Sequence, residues 1–325
     1  MSRPRPPASR GPSRRWRGDP RPGSPGRRAV TPFTAVVVLH DSEPELAVLL
    51  RSLAAHLPEP PQLVVVDTGS TDGGLELARR HGAELVELPG NPGFGAANNA
   101  GIERARHDVT VLLNPDTELV DDSLHELARL ARIHPHALHA PRLLEADGSV
   151  QRTAHPLPGT AGALLPALVH PPLLPRALRD RVEPYRSGTS RTVGWAIAAC
   201  LASGTGTLRR LGPFDPAVHL FAEDMELGLR ARAAGVPTVL HPHLRLRHTG
   251  GHAVLRGGEP FTVLARRRRD ALERTLGPRA RARDDLAQAL TFATRIAARA
   301  ALGRDAARER AQLHALLTAR RETGS

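Results

Sequence analysis

Four short strand-like runs, at residues 35–39, 63–66, 84–88 and 109–113, alternate with segments of helical spacing, and that alternation leaves few folds open. Behind the first run, Leu46, Leu49, Leu50 and Leu53 recur at the three-to-four-residue interval of an amphipathic helix within residues 45–56. Residues 74–81 and 94–106 repeat the helical pattern. The first, second and fourth runs are Val and Leu apart from Ala35 and Thr110, rather than alternating, as expected of strands covered on both faces. The expected architecture is therefore α/β: a doubly wound, mostly parallel sheet flanked by helices. Ligands then collect at the carboxyl ends of the strands.

A chain of 325 residues can bury one large α/β core and carry extensions. Three parts are expected: a basic tail at 1–30, a catalytic domain at 31–260 and an Arg/Ala-rich helical extension at 261–325. The tail is Pro, Arg, Ser and Gly, with too little apolar surface to fold and no apolar core of a secretory signal. No later stretch reaches the roughly 18 unbroken apolar residues of a membrane span. The nearest, residues 161–178, is cut by Pro166, Pro171, Pro172 and Pro175. A cytoplasmic protein, peripheral at the inner face of the plasma membrane, is the expectation. Cys200 is the only cysteine, which excludes an internal disulfide and any multi-thiolate zinc site. The net charge of +12 comes from 45 basic residues, every one arginine, a bias in keeping with GC-rich coding. Arginine forks onto phosphate whatever its origin, so anionic partners are favoured.

Two carboxylates fall on the expected ligand rim. Asp67 ends the second strand and Asp116 follows the fourth. Ser70, Thr71 and Asp72 read as a turn and a helix cap, whereas Asp67 can accept hydrogen bonds from a base or a ribose. Residues 40–44 lack the glycine fingerprint of a dinucleotide site, which disfavours nicotinamide chemistry. The run 91–101, with Gly93 and Asn98, joins a flexible turn to small residues that let a helix start beside a ligand; a plain tight turn with close helix packing would look the same. Asn114-Pro115-Asp116 closes a buried strand with an acid suited to a divalent ion, and such an ion neutralises a departing diphosphate. Glu223 and Asp224 head an amphipathic helix, and Arg247-His248-Thr249-Gly250-Gly251 follows from a later strand.

Taken in order, residues 66–73, 91–101, 113–116, 212–215, Glu223-Asp224 and His248 resemble family 2 glycosyltransferases of the GT-A fold, over about residues 34–253. The likeness is greatest to their bacterial rhamnosyltransferase-like and galactofuranosyltransferase-like branch. It implies that Asp67, Gly93, Asn98, Asn114 and Asp116 bind the donor, with Asn114 and Asp116 at the first and last positions of the D-x-D metal element. It further implies Asp224 as the catalytic base, Glu223 as its helper, His248 as a second metal ligand and Trp195 against the acceptor. Thr68, Ala198 and Gly204 depart from the pattern, where asparagine, glycine and arginine are common.

The implied function is inverting transfer of a sugar, with rhamnose first, from a nucleotide-diphosphate donor to a cell-envelope, polysaccharide or lipid-linked acceptor. Mg²⁺ or Mn²⁺ is the implied cofactor, and Asp116, Asp224 and His248 are expected to meet around it in one cleft. Two alternatives stand beside this reading: an arginine-rich nucleic-acid binder without catalysis, and a degenerate transferase that only binds nucleotide sugar. The first lacks a recognition motif and has only 3% aromatic residues, so no nucleic acid is expected as a partner. The cluster Arg266 to Arg269 reads equally as a solvated helical face or as a patch for a lipid diphosphate or anionic membrane. The apolar segment around Leu164 to Leu178 reads either as a lipid-facing flap or as a packed loop.

Overall fold

A computed structural model describes residues 30–169, 171–212, 214–215, 222–250 and 260–322. The basic tail up to residue 29, Pro213 and Phe221 of the motifs, and Gly251 lie outside the described residues. The expected alternation is present: β1 (Thr34–Leu39), α1 (Glu43–His56), β2 (Gln62–Asp67), α2 (Gly74–Arg80), β3 (Glu84–Glu87), α3 (Phe94–Glu103) and β4 (Val109–Leu113). After β5 (Thr117–Leu119), α4 (Ser123–Ile133) and β6 (Leu138–Leu144), a segment of short pieces follows, containing β7 (Ala154–His155), α5 (Leu165–Leu168) and α6 (Arg176–Val182). The chain returns to the sheet through β8 (Arg191–Val193), β9 (Trp195–Ala196), β10 (Cys200–Gly204), α7 (Thr205–Leu211), α8 (Glu223–Ala233) and β11 (Thr238–His248).

The main sheet has nine strands, in the order β3-β2-β1-β4-β10-β6-β11-β5, with β8 also on β11. Six strands share one direction; β10, β5 and β8 run against them. Both faces are covered, as the apolar strand sequences require. Ala35, Val37, Leu39, Val65, Val111 and Leu113 face α1, α2 and α4. Val36, Val38, Val64, Val66 and Leu112 face α3, α7 and α8. The contact on that second face is close: a Cβ on Gly101 of α3 would stand 2.3 Å from Val36 Cγ1.

The C-terminal arginine-rich region resolves into α9 (Phe261–Leu276), α10 (Pro278–Ala301) and α11 (Ala307–Glu322), and α9 packs on α8. Half of the arginine cluster proves to be internal structure. Arg268 holds Asp284 through two 2.8 Å hydrogen bonds, and Arg269 pairs with Asp285, both buried. The segment before α6 packs its first turns on α10 and leaves Leu168 and Leu173 exposed.

Candidate active site

Sheet register builds the first half of the site. β11 runs antiparallel to β5 with His248 opposite Thr117, which sets the histidine beside Asp116. Its Nε2 lies 3.3 Å from Asp116 Oδ1 and 3.5 Å from Asn114 Nδ2. On the far side of the ring, Nδ1 lies 2.8 Å from Gln151 Oε1. Gln151 Nε2 donates to the His248 carbonyl at 3.4 Å, so the amide presents its oxygen to Nδ1 as a hydrogen-bond acceptor. Nε2 is left facing Asp116 and Asn114. Burial works to raise the Asp116 pKa, but the His248 ring and the Gly250 main chain outweigh it and hold the carboxyl below its usual value.

These residues suit a hard divalent cation. Asn114 Oδ1 is buried without a hydrogen-bond donor, and Asp116 Oδ1 is buried with the His248 ring at 3.3 Å beside it, a sparse environment for carbonyl and carboxylate oxygens. Two such oxygens beside an imidazole nitrogen form a donor set acceptable to Mn²⁺ or Mg²⁺. The expectation that Asp224 shares this point needs correction, because among the described residues no three His, Cys, Asp or Glu side chains form a metal cluster. Asp116 and His248 stand as a pair, completed by an amide. The strand register that delivers His248 belongs to β5 and β11, whereas Asp224 arrives on a separate helix.

That helix, α8, is entered through Ala222, whose φ of 68° is a left-handed conformation that costs a non-glycine residue about 1–3 kcal/mol. The strain precedes the two carboxylates directly. Burial raises Glu223 to about 6 against the opposing pull of its own main chain and of Arg267. Burial also raises Asp224, and the neighbouring Glu223 charge adds to it, while the Ala198 main chain hydrogen-bonds the carboxylate and opposes the shift. Glu223 Oε2, Asp224 Oδ1 and Arg267 Nη1 are buried without hydrogen-bond partners. The adjacent Ala199 accepts the Asn114 N–H at 2.9 Å. Two consecutive residues therefore hold Asp224 on one side and Asn114 on the other.

The remaining sequence-predicted residues divide between engaged and open roles. Asp67 is buried at the end of β2, and its carboxylate accepts the main-chain N–H groups of Gly69 at 3.0 Å and Ser70 at 3.2 Å, so it shapes its own turn. Asp72 accepts from Glu43 at 2.8 Å and Gly74 at 3.0 Å, the first residues of α1 and α2, which is the capping role expected of it. Gly93 has a φ of 97° that only glycine adopts without strain, and it opens α3. Asn98 is buried and donates to the Phe94 carbonyl at 2.9 Å. Trp195 stacks on His155 with ring centroids 4.0 Å apart and lines a cavity with Ala222 and Met225.

Three features were not found by sequence reasoning. Gln151 lies in a stretch without a motif, 97 residues from its histidine. Asn99 clamps the Phe214 main chain through bonds of 2.8 and 2.9 Å, fixing the Gly212–Asp215 region against α3. The Ala198–Ala199 main chain leaves no side-chain signature at all.

Known proteins can now be set beside this geometry. The family model described as "Glycosyl transferase family 2" matches residues 34–199, just over half the chain. The N-acetylglucosaminyl-diphospho-decaprenol L-rhamnosyltransferase of Mycobacterium tuberculosis is 28% identical over 249 residues, covering 71% of this chain and 79% of that protein. Among solved structures, GalNAc-T7 with UDP, GalNAc and Mn²⁺ aligns with a TM-score of 0.56 at 16% identity, over 75% of this chain and 48% of that one. The chain thus spans about half the length of GalNAc-T7. The mannosyltransferase PcManGT of Pyrobaculum calidifontis, solved with GDP-Man and Mn²⁺, aligns with a TM-score of 0.54 at 17% identity, over 91% of this chain and 89% of that one. At such identities the structural likeness shows the fold, which is GT-A. With the family model matched over residues 34–199, just over half the chain, the chain belongs to glycosyltransferase family 2.

Proposed function

We propose that this protein is an inverting, metal-dependent glycosyltransferase that moves a rhamnosyl group from a nucleotide-diphosphate donor to a lipid-linked acceptor of the cell envelope. The observation that carries the reading is the Glu223–Asp224 pair, kept proton-avid by burial and tied through Ala198 and Ala199 to the Asn114–Asp116 turn. Asp224 accepts the proton of the acceptor hydroxyl while that oxygen bonds to the anomeric carbon from the face opposite the nucleotide. The anomeric C–O bond to the diphosphate breaks in the same displacement, so configuration inverts. Glu223 orients the base, and Trp195 bounds the acceptor side. Asp67, Gly93 and Asn98 line the donor side. A divalent ion held by Asp116, His248 and Asn114 would neutralise the charge of the departing diphosphate.

The rhamnosyl donor and lipid-diphosphate acceptor are taken from the name of the Mycobacterium tuberculosis relative. The division into a transferase domain at 31–260 and a helical extension at 261–325 is part of the same proposal. So is a peripheral position at the inner membrane face, which the exposed Leu168 and Leu173 support. Among the described residues no helix is long and apolar enough to cross a membrane.

The test is a panel of UDP-, GDP- and dTDP-sugars in thermal shift, with and without Mn²⁺, followed by NMR of the product linkage. A ligand that binds only the native state raises its melting temperature. A donor that stabilises only with Mn²⁺, and a product of inverted anomeric configuration, are expected. Metal-independent turnover or retained configuration would overturn the corresponding half of the proposal.

A further inference from the structure

Beside the carboxylate pair, between α8 and the C-terminal helices, lies a cavity of about 390 Å³. Its wall is built mainly from Trp195, Met225, Phe261, Leu264, Phe292 and Leu316, drawn from the sheet side, from α8 and from all three C-terminal helices. A void of this size and character suits an apolar ligand, since small-molecule sites fall at about 300–1,000 Å³ and are lined largely by apolar and aromatic side chains. Two arginines reach its wall, Arg308 and Arg268, the latter bound to Asp284, and no acid is among the described residues that line it. Ala222 and Met225 bracket Glu223 and Asp224 in sequence and belong to the wall, so the cavity opens one helical turn from the base.

We propose that this cavity binds the first isoprenoid units of a prenyl-diphosphate-linked acceptor, with the diphosphate toward the Arg308 end and the sugar toward Asp224. The assignment rests on the lipid-linked acceptor reading and gives the C-terminal helices a substrate-binding role. Three observations favour a prenyl diphosphate over a soluble glycan: an apolar and aromatic lining, a wall with arginine and no acid among the described residues, and adjacency in sequence to the carboxylates. A polysaccharide would require hydrogen-bonding groups, and the wall offers mainly Gln288 and Gln312.

Trp195 makes binding directly observable. In a Trp16→Phe background it is the only tryptophan, and its emission should shift saturably on titration with farnesyl diphosphate. Inorganic diphosphate at equal concentration should leave it unchanged. Ala265→Trp, which fills the cavity and is read by calorimetry, and Leu264→Gln should each weaken farnesyl diphosphate by about tenfold, as expected for losing the burial of one or two methylene groups. Both should keep the parent melting temperature within a few degrees and bind nucleotide sugar unchanged. Emission indifferent to farnesyl diphosphate, or equal affinity in parent and both variants, overturns the cavity assignment even where donor binding is intact. Prenyl binding without any nucleotide-sugar binding would instead overturn the transferase reading and leave the cavity assigned.

Discussion

Gln151 Oε1 accepts a hydrogen bond from His248 Nδ1 across 2.8 Å, and this bond decides which nitrogen of the ring faces Asp116. A histidine held by one nitrogen presents the other in a fixed direction, the arrangement by which outer partners orient metal ligands. The pairing joins residues 97 apart and gives an otherwise unremarked glutamine a positioning role.

Gln151→Ala should therefore weaken Mn²⁺ by about 10–100-fold, the usual cost of losing such a partner. Free Mn²⁺ counted by EPR in the absence of donor reads this without turnover. Gln151→Glu keeps an acceptor for Nδ1 and should retain most of the affinity. Equal Mn²⁺ binding by the parent and Gln151→Ala would remove the glutamine from the site.

Asp224→Asn should lower turnover by about 10²–10⁴-fold, the range of a lost general base, with donor binding retained. It should also stabilise the fold at neutral pH. An acid raised in the folded state keeps its proton longer than in the unfolded chain, so the fold is most stable below the ordinary carboxylate value and loses stability as pH rises. For Glu223 that loss runs from 4.5 to about 6, and for Asp224 it lies higher than its ordinary 3.8. Denaturant midpoints at pH 8 should be higher in Asp224→Asn than in the parent. A lower midpoint would contradict the burial assigned to the carboxylate.

Acid should destabilise the protein through its buried histidines. His139 and His241 stack at 5.2 Å, and burial lowers them to about 4 and about 3; His155 falls to about 3 through burial and then the charges of Arg268 and Arg152. The unfolded chain takes up these protons near 6.5 and the folded chain does not, so stability is complete above 6.5 and declines as pH falls. Each group contributes up to about 1.4 kcal/mol per pH unit. His241→Gln should flatten the fall in denaturant midpoint between pH 6.5 and 5, and an unchanged slope would count against the neutral pair.

Asp285→Ala leaves Arg269 buried without its carboxylate and should cost about 3–5 kcal/mol, as breaking one side of a buried pair does. Replacing both residues by apolar ones of similar volume should recover most of that loss. Chemical denaturation of the single and double variants decides between a pair that staples α9 to α10 and a decorative contact.

The sheet was legible because burial on both faces writes itself locally: Val36 to Val38 and Val64 to Val66 need no partner to be recognised as strands. Asp116 and His248 were legible only through motif order, since the register that joins them spans more than a hundred residues. The shared cation with Asp224 was overreached, because spacing in sequence carries no information on which strand end a helix faces. The arginines at 268 and 269 suggested a phosphate patch, but their carboxylate partners sit 16 residues downstream on the next helix, a tertiary pairing with no local sign. The cavity is less legible still, as its walls come from segments between 195 and 316 that share only an apolar character.

Because peptide groups of Ala198 and Ala199, rather than their methyls, reach Asp224 on one side and Asn114 on the other, that link should be indifferent to exchange among small residues but intolerant of length change. Serine or glycine at either position keeps the same N–H and C=O in place. A single inserted residue would slide one half past the other by a full strand step of about 3.3 Å, enough to part the proton acceptor from the leaving group while every motif stayed intact.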